Sequence, residues 1–181
     1  MRIVGGRFRG RRLKSPRGRA IRPTSDRTRE SIFDLLGPGP YDGRVLDLFS
    51  GTGALAIEAL SRGFSRAVLV ERDRVALQLI HTNLSLCGAD TAARVAALDV
   101  ARFLEGSDSD APFSLVLLDP PYGQGLAAPA IEALSRRGWV AENGVVICET
   151  EAALKLPEQV GRFSLAKHKR YGDTGIWLYV D

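Results

Sequence analysis

The chain has 181 residues, 45% hydrophobic and 25% charged, a size and balance that suit one compact folded unit and exclude collagen-like, low-complexity and wholly disordered architectures. Its apolar runs, such as residues 67–70 and 144–148, are far too short to cross a bilayer as a helix. The formal charge of +4 conceals a segregation: residues 1–30 hold ten Arg and one Lys against Asp26 and Glu30, a local +9 that leaves −5 on the remainder, and this points to a basic arm for a polyanion, nucleic acid first, on a mildly acidic body.

The arm comes first in the chain. Residues 1–22 place Ile3, Val4, Phe8 and Leu13 among glycines and arginines, a pattern that suits a small β-hairpin better than a helix. Arg7, Arg9, Arg11, Arg12 and Lys14 are its candidate phosphate ligands, because a guanidinium fork holds phosphate bidentately and stacks on bases. A general preference for arginine, 21 Arg to 4 Lys, explains the residue type but not the clustering. The same arginines interrupt any apolar secretory segment, and Gly5, Gly6, Gly10, Pro16 and Gly18 would break a transit helix, so a cytoplasmic protein is expected. Cys87 and Cys148 stand alone, without the spacing of a zinc site or disulfide framework, which fits a reducing compartment and no metal.

After a loop over residues 16–23, Thr24, Ser25 and Asp26 offer N-caps to a helix whose stripe of Ile32, Phe33, Leu35 and Leu36 ends at Gly37-Pro38-Gly39-Pro40. Arg29 in its first turns is assigned with the arm to the polyanion. Arg27, Arg29 and Glu30 equally suit closure over a ligand carboxylate or a salt-bridged helix surface. The division expected is an arm over residues 1–23 and a main domain over 24–181.

From Arg44 onward strand, turn and helix repeat, which is the pattern of an α/β fold with a mostly parallel sheet. Near-continuous apolar runs mark strands at residues 45–49, 67–70, 95–98, 115–118 and 145–148, buried on both faces. Helices are expected at Ala54–Arg62, Arg74–Cys87, 100–104 and Ala127–Arg136. The last two strands, Phe163–Tyr171 and 176–180, are joined by Gly172-Asp173-Thr174-Gly175 as a hairpin, so the last strand runs antiparallel to its partner.

The first parallel strand leads into Asp47-Leu-Phe-Ser50-Gly51-Thr52-Gly53-Ala-Leu-Ala56, a G-x-G-x-x-A turn opening a helix, with small residues where backbone must approach a ligand. Glu71 ends the next strand, where an acid accepts from ribose hydroxyls. Together they point to an adenosine-type cofactor. A pyrophosphate at that helix start would be repelled by Asp47, whereas the ammonium and sulfonium of S-adenosylmethionine would be attracted. Asp99 after the third strand suits the adenine amine, or the N-cap of the following helix.

Asp119-Pro120-Pro121-Tyr122 closes the fourth strand at the carboxyl edge of the sheet, where open α/β folds bind ligands. Two prolines stiffen the turn and remove two N–H donors, leaving carbonyl acceptors. Asp119 and the Pro120 carbonyl can each accept from a planar amine and turn its lone pair toward a methyl group, while Tyr122 stacks on the base.

These residues resemble a class I S-adenosylmethionine-dependent methyltransferase of the amino-group type. More closely, MRIVGGRFRGRRL, RPTSDRTRESIFDLL, VLDLFSGTGALAIEALSRG with DPPY, and RYGDTGIWLY resemble the bacterial RsmD family of 16S ribosomal RNA guanine-N2 methyltransferases, whose family target is guanine 966. The resemblance implies a Rossmann-like fold with a seven-stranded sheet and one antiparallel strand, beside the small N-terminal hairpin. It implies cofactor roles for Asp47, Gly51, Gly53 and Glu71 with Asp99, to which Ser50 and Thr52 of the same turn are added. It also implies amine-binding roles for Asp119, Pro120, Pro121 and Tyr122. The expected partner is ribosomal RNA or the assembling small subunit, and the expected protein a monomer.

Chemistry favours guanine independently: its N1–H and N2–H are adjacent donors, and an ionised aspartate is acceptor-only. Related Asp-Pro-Pro-Tyr motifs serve adenine-N6 and, with Asn first, glutamine methyltransferases. With only about forty residues before the catalytic sheet and base extrusion costing a few kcal/mol in a duplex, a structured RNA loop is the simpler substrate than a DNA sequence. A non-catalytic RNA-binding protein and a nicotinamide oxidoreductase are the rivals, the second opposed by Asp47.

Overall fold

The computed structural model describes residues 1–16, 26–37, 39 and 41–181. The expected loop from residue 17 on, the caps Thr24 and Ser25, and Pro38 and Pro40 lie outside the described residues. The strands are β1 (Arg44–Leu48), β2 (Arg66–Glu71), β3 (Ala93–Ala97), β4 (Phe113–Leu118), β5 (Val140–Glu151), β6 (Gln159–Val160), β7 (Phe163–Tyr171) and β8 (Thr174–Val180). The helices are α1 (Asp26–Leu36), α2 (Ala54–Arg62), α3 (Arg74–Cys87), α4 (Val100–Glu105) and α5 (Ala127–Arg136).

One sheet runs in the order β3-β2-β1-β4-β5-β8-β7-β6. β1 to β5 are mutually parallel, and β8 enters antiparallel between β5 and β7. This is the mostly parallel architecture expected, with one addition: the two-residue β6 pairs with the start of β7 as an eighth strand, too short to show an alternating pattern. Alternate strand residues feed two cores. Val45, Leu69, Leu115 and Leu117 meet α1, α2 and α3 on one face. Leu46, Leu48, Val70 and Val116 meet α4 and α5 on the other, which is why the strands read as unbroken apolar runs. β5 begins five residues before the expected start, running through Asn143 at φ 61 and a register shift opposite Phe113 and Leu115. Asn143 and Gly144 thus form a local irregularity within one strand.

The N-terminal hairpin is corrected in detail. Its two limbs do run antiparallel, with Ile3 donating to Arg11 O, Gly10 to Ile3 O and Leu13 to Met1 O, yet only Arg2 and Arg12 form a ladder bridge. A 3-10 turn over Gly6–Phe8 joins them. The missing ladder bonds go instead to α2. The wholly buried Glu58 carboxylate accepts from Val4 N–H at 2.8 Å and Gly5 N–H at 2.7 Å, and Arg62 Nε donates to it at 2.8 Å. Ser61 Oγ accepts from Phe8 N–H at 2.8 Å. Gly6 comes so near the end of α2 that a Cβ would lie 1.9 Å from Ser61 O, and its φ of +70 is the left-handed region. With Ile3, Phe8 and Leu13 buried in the α1–α3 core, the arm is fixed by both apolar burial and a buried carboxylate.

Removing that carboxylate leaves the arm N–H groups and Arg62 without their partner. Glu58→Ala is expected to cost about 3–5 kcal/mol and to open the chain to trypsin at Arg7 to Arg12. Parent-like stability and protease resistance would show that apolar burial alone holds the arm.

Candidate active site

The turn after β1 is built from backbone that side chains rarely adopt: Phe49 has φ 62, Gly51 55 and Gly53 75. For Phe49 this is a true outlier, and such strain collects at functional sites. Gly53 is the N-cap of α2 and has no side chain to cap it, so an orphan N–H of the first helical turn must find an acceptor elsewhere. Asp47 supplies it from β1: its Oδ2 accepts from Ala56 N–H at 3.2 Å. Asp47 is 1% exposed, and its Oδ1 is buried without a hydrogen-bond partner among the described residues. Burial, reinforced by the nearby Asp119 and Glu71 charges, raises its pKa well above the ordinary value.

A cleft of about 1730 Å³ opens at the carboxyl edge. Ser50, Gly51 and Thr52 line it, as do Glu71 and Asp99, and so do all four residues of Asp119-Pro120-Pro121-Tyr122. Asp47 and Gly53 do not: Asp47 lies beneath the floor, behind the turn, and Gly53 packs against β2, where a Cβ would come within 3.1 Å of Leu69 Cδ2. Glu71 organises the mouth, its Oε2 accepting from Gly51 N–H at 2.8 Å and its Oε1 from Arg72 and Asp73 N–H at 2.8 and 2.9 Å. Asp99 does cap the next helix, accepting from Ala101 N–H at 2.9 Å, while its other oxygen pairs with Arg72 at 2.8 Å. That pair is largely exposed and therefore easily exchanged for a ligand contact.

On the opposite wall, Asp119 N–H reaches back to Leu48 O at 3.4 Å, joining the end of β4 to that of β1. The Tyr122 hydroxyl lies 3.3 Å from both Glu149 Oε1 and Thr174 Oγ1, two buried side chains of β5 and β8. Gly123 N–H donates to Glu151 Oε1 at 3.2 Å, so the ring is held at its tip and the loop just past it.

Of the basic residues, Arg7, Arg9, Arg11, Arg12 and Lys14 are exposed on the arm. The Arg7 and Arg11 guanidinium groups sit 4.6 and 5.3 Å from the Phe8 ring centre, and Lys14 with Ser15 and Pro16 reaches the cleft. Arg29 is a correction. It is wholly buried, pairs with Asp26 and donates to Arg2 O at 2.7 Å, so it offers no surface to a polyanion and instead ties α1 to the arm.

Sequence reasoning missed Phe49, Glu149 and Thr174. Of these, Glu149 carries a signal: an acid directly after the apolar run of β5. It also missed that Val75 and Leu98, 58% and 36% exposed, present apolar surface to the cleft, a feature only the tertiary structure reveals. Cys87 and Cys148 are both buried, and burial pushes both thiols up. Trp139 packs against Phe103 and Phe113, and Trp177 against His168, as structural residues. Among the described residues no helix is long and apolar enough to cross a membrane.

A family model described as Conserved hypothetical protein 95 matches residues 1–180. The chain is 38% identical over 179 residues to the ribosomal RNA small subunit methyltransferase D of Escherichia coli, covering 99% of this chain and 89% of the relative. It is 34% identical over 185 residues to the protein of that name from Haemophilus influenzae, covering 99% and 93%. The solved structure of the Escherichia coli protein yhhF superposes with a TM-score of 0.88 at 37% identity, covering 99% of this chain and 97% of that one.

The raised pKa of Asp47 gives a signed prediction for the ligand-free protein. Its stabilising contribution is fully present below the unfolded value near 3.8 and is lost as pH rises through the folded value. Asp47→Asn should therefore raise the Tm at pH 7, by about 2–4 °C for each kcal/mol relieved, with the gain shrinking as the pH falls toward the carboxylate range. A gain independent of pH would show that ionisation of Asp47 is not its source.

Proposed function

The chain belongs to the Conserved hypothetical protein 95 family, that of the ribosomal RNA small subunit methyltransferase D proteins, and from that membership we propose that it is an S-adenosylmethionine-dependent rRNA methyltransferase acting on the exocyclic N2 amine of a guanine in small-subunit (16S) rRNA. The target position proposed is guanine 966, as the family resemblance implies. The observation that carries the reading is the convergence of Asp119-Pro120-Pro121-Tyr122, the glycine turn and Glu71 on one cleft that the end of the basic arm also reaches. Residues 1–23 act as the RNA-gripping arm and 24–181 as the catalytic domain of a cytoplasmic, monomeric protein. Its partner is 16S RNA, free or in the assembling subunit.

When bound, S-adenosylmethionine supplies a methyl group on a cationic sulfonium. The residues present suit such a group. The buried Oδ1 of Asp47 has an unused acceptor behind the turn, and a neighbouring cation would favour its ionised form. Glu71 Oε2 accepts a single N–H and keeps a lone pair for a ribose hydroxyl. Asp99, whose pair with Arg72 is exposed, would be the acceptor for an adenine amine, and Val75 and Leu98 would offer apolar surface to its ring.

Asp119 and the Pro120 carbonyl accept the guanine N–H donors, Asp119 having two acceptor oxygens and no donor to clash with N1–H and N2–H. Holding the amine this way directs its lone pair toward the methyl group, and positioning of this kind contributes on the order of 7–11 kcal/mol at near-ideal geometry. Tyr122 stacks on the base, worth roughly 1–3 kcal/mol. The amine sheds one proton on methylation, and we assign Asp119 as the group that would receive it.

Incubation with isotopically labelled S-adenosylmethionine and 16S RNA or small subunits from cells lacking the protein should yield labelled N2-methylguanosine by mass spectrometry of nucleosides. Labelled N6-methyladenosine would overturn the guanine assignment, and no label in either substrate would overturn the methyltransferase reading.

A further inference from the structure

Asn83 lies on α3 and is wholly buried, yet its side-chain amide serves two other segments. Its Oδ1 accepts from Lys14 N–H at 2.7 Å, and its Nδ2 donates both to Lys14 O at 3.0 Å and to Thr52 O at 2.9 Å. With one N–H and two carbonyls around it, a single orientation of the amide satisfies every partner. Lys14 is paired through both its main-chain groups, as a strand residue is by its neighbour. Thr52 stands between the two left-handed glycines of the turn. Lys14 and Thr52 line the same cleft from different segments, so Asn83 is a buried link between the end of the basic arm and the glycine turn.

We propose that Asn83 is a positioning residue that couples the two substrates: RNA held on the arm tightens cofactor binding at the turn, and cofactor tightens RNA binding. The proposal rests on the reading of the arm as the RNA ligand and the turn as the cofactor site. When Lys14 is released, Oδ1 loses its donor and Nδ2 one of its acceptors. The Thr52 bond alone then holds the amide in this orientation, so the side chain gains freedom to turn toward other partners and the turn loses a fixed brace. When Lys14 is held, both Nδ2 bonds form together and Thr52 is fixed beside Gly51, whose N–H is already engaged by Glu71. Phosphates bound by the exposed Arg11, Arg12 and Lys14 favour the held state. Any ligand that needs the turn fixed favours it too, and the coupling must be equal in both directions.

The test is calorimetric binding of S-adenosylhomocysteine with and without saturating 16S RNA transcript, paired with RNA binding with and without S-adenosylhomocysteine. In the parent, each ligand should tighten the other at least about fivefold, by the same factor. Asn83→Asp keeps an acceptor for Lys14 N–H but turns a carboxylate oxygen on both carbonyls, and should bring that factor to within about twofold of unity. A merely structural role would weaken both affinities without changing their ratio. A factor of one in the parent, with both ligands bound, overturns the proposal whether or not the variant folds. So does a folded Asn83→Asp protein that keeps the parent factor. Failure of either ligand to bind the parent overturns the proposed function, and this inference with it.

Discussion

The position of β1 between β2 and β4 is the constraint on which the rest depends. Chain connections from β1 travel outward to β2 and β3 on one side, while β4 and β5 lie on the other, so the loops leaving β1 and β4 diverge to opposite faces and a crevice opens between them. Leu48 pairs with Leu118 in register, so Phe49 and Asp119 leave the sheet at the same level. Val70 pairs with Leu48 from the other side, which delivers Glu71 to the same edge. Residues far apart in sequence, such as Gly51, Glu71 and Asp119, become one site because three parallel strands end together.

That convergence gathers negative charge. Asp47, Glu71, Asp99 and Asp119 stand at or beneath one edge, and Asp47 responds to the crowding and its burial with a raised pKa. Backbone N–H groups of the turn and helix starts compensate three of these carboxylates, an arrangement that leaves the edge ready for a cationic ligand and unsuited to an anionic one. The arm carries the opposite charge and is fixed by other means. Its apolar residues enter the α1–α3 core while Glu58, Ser61 and Asn83 satisfy its main chain. Its arginines thus remain exposed on a backbone that is itself ordered.

Much of this was legible in the residues because the signals were local. The apolar runs of β1 and β4 span both faces of the sheet, the glycines of the turn have positive φ, and consecutive prolines at a strand end have few alternatives. Failures came where a residue's partner lies elsewhere in the chain. Arg29 has the charge of an RNA ligand, and only its pairing with Asp26 and Arg2 O shows it to be internal. The arm looked like a hairpin because its alternation is real, but its ladder bonds are diverted to α2. Asp99 stands before a helix and near the cleft, and in the structure it caps the one and lines the other. Asn83 sits unremarkably within a helical pattern, and its importance emerges only when Lys14 and Thr52 are seen on either side of its amide.

The proposed division of labour gives the amine chemistry to the acceptor at the end of β4 and the holding of the cofactor to the turn after β1. Asp119→Asn separates the two, since it keeps the shape of the side chain and replaces one acceptor oxygen with a donor facing the guanine N–H groups. Measured side by side, S-adenosylhomocysteine affinity should stay within about twofold of the parent while single-turnover methylation of RNA falls by a factor on the order of 100 or more. Parent-like methylation by the variant would contradict the account.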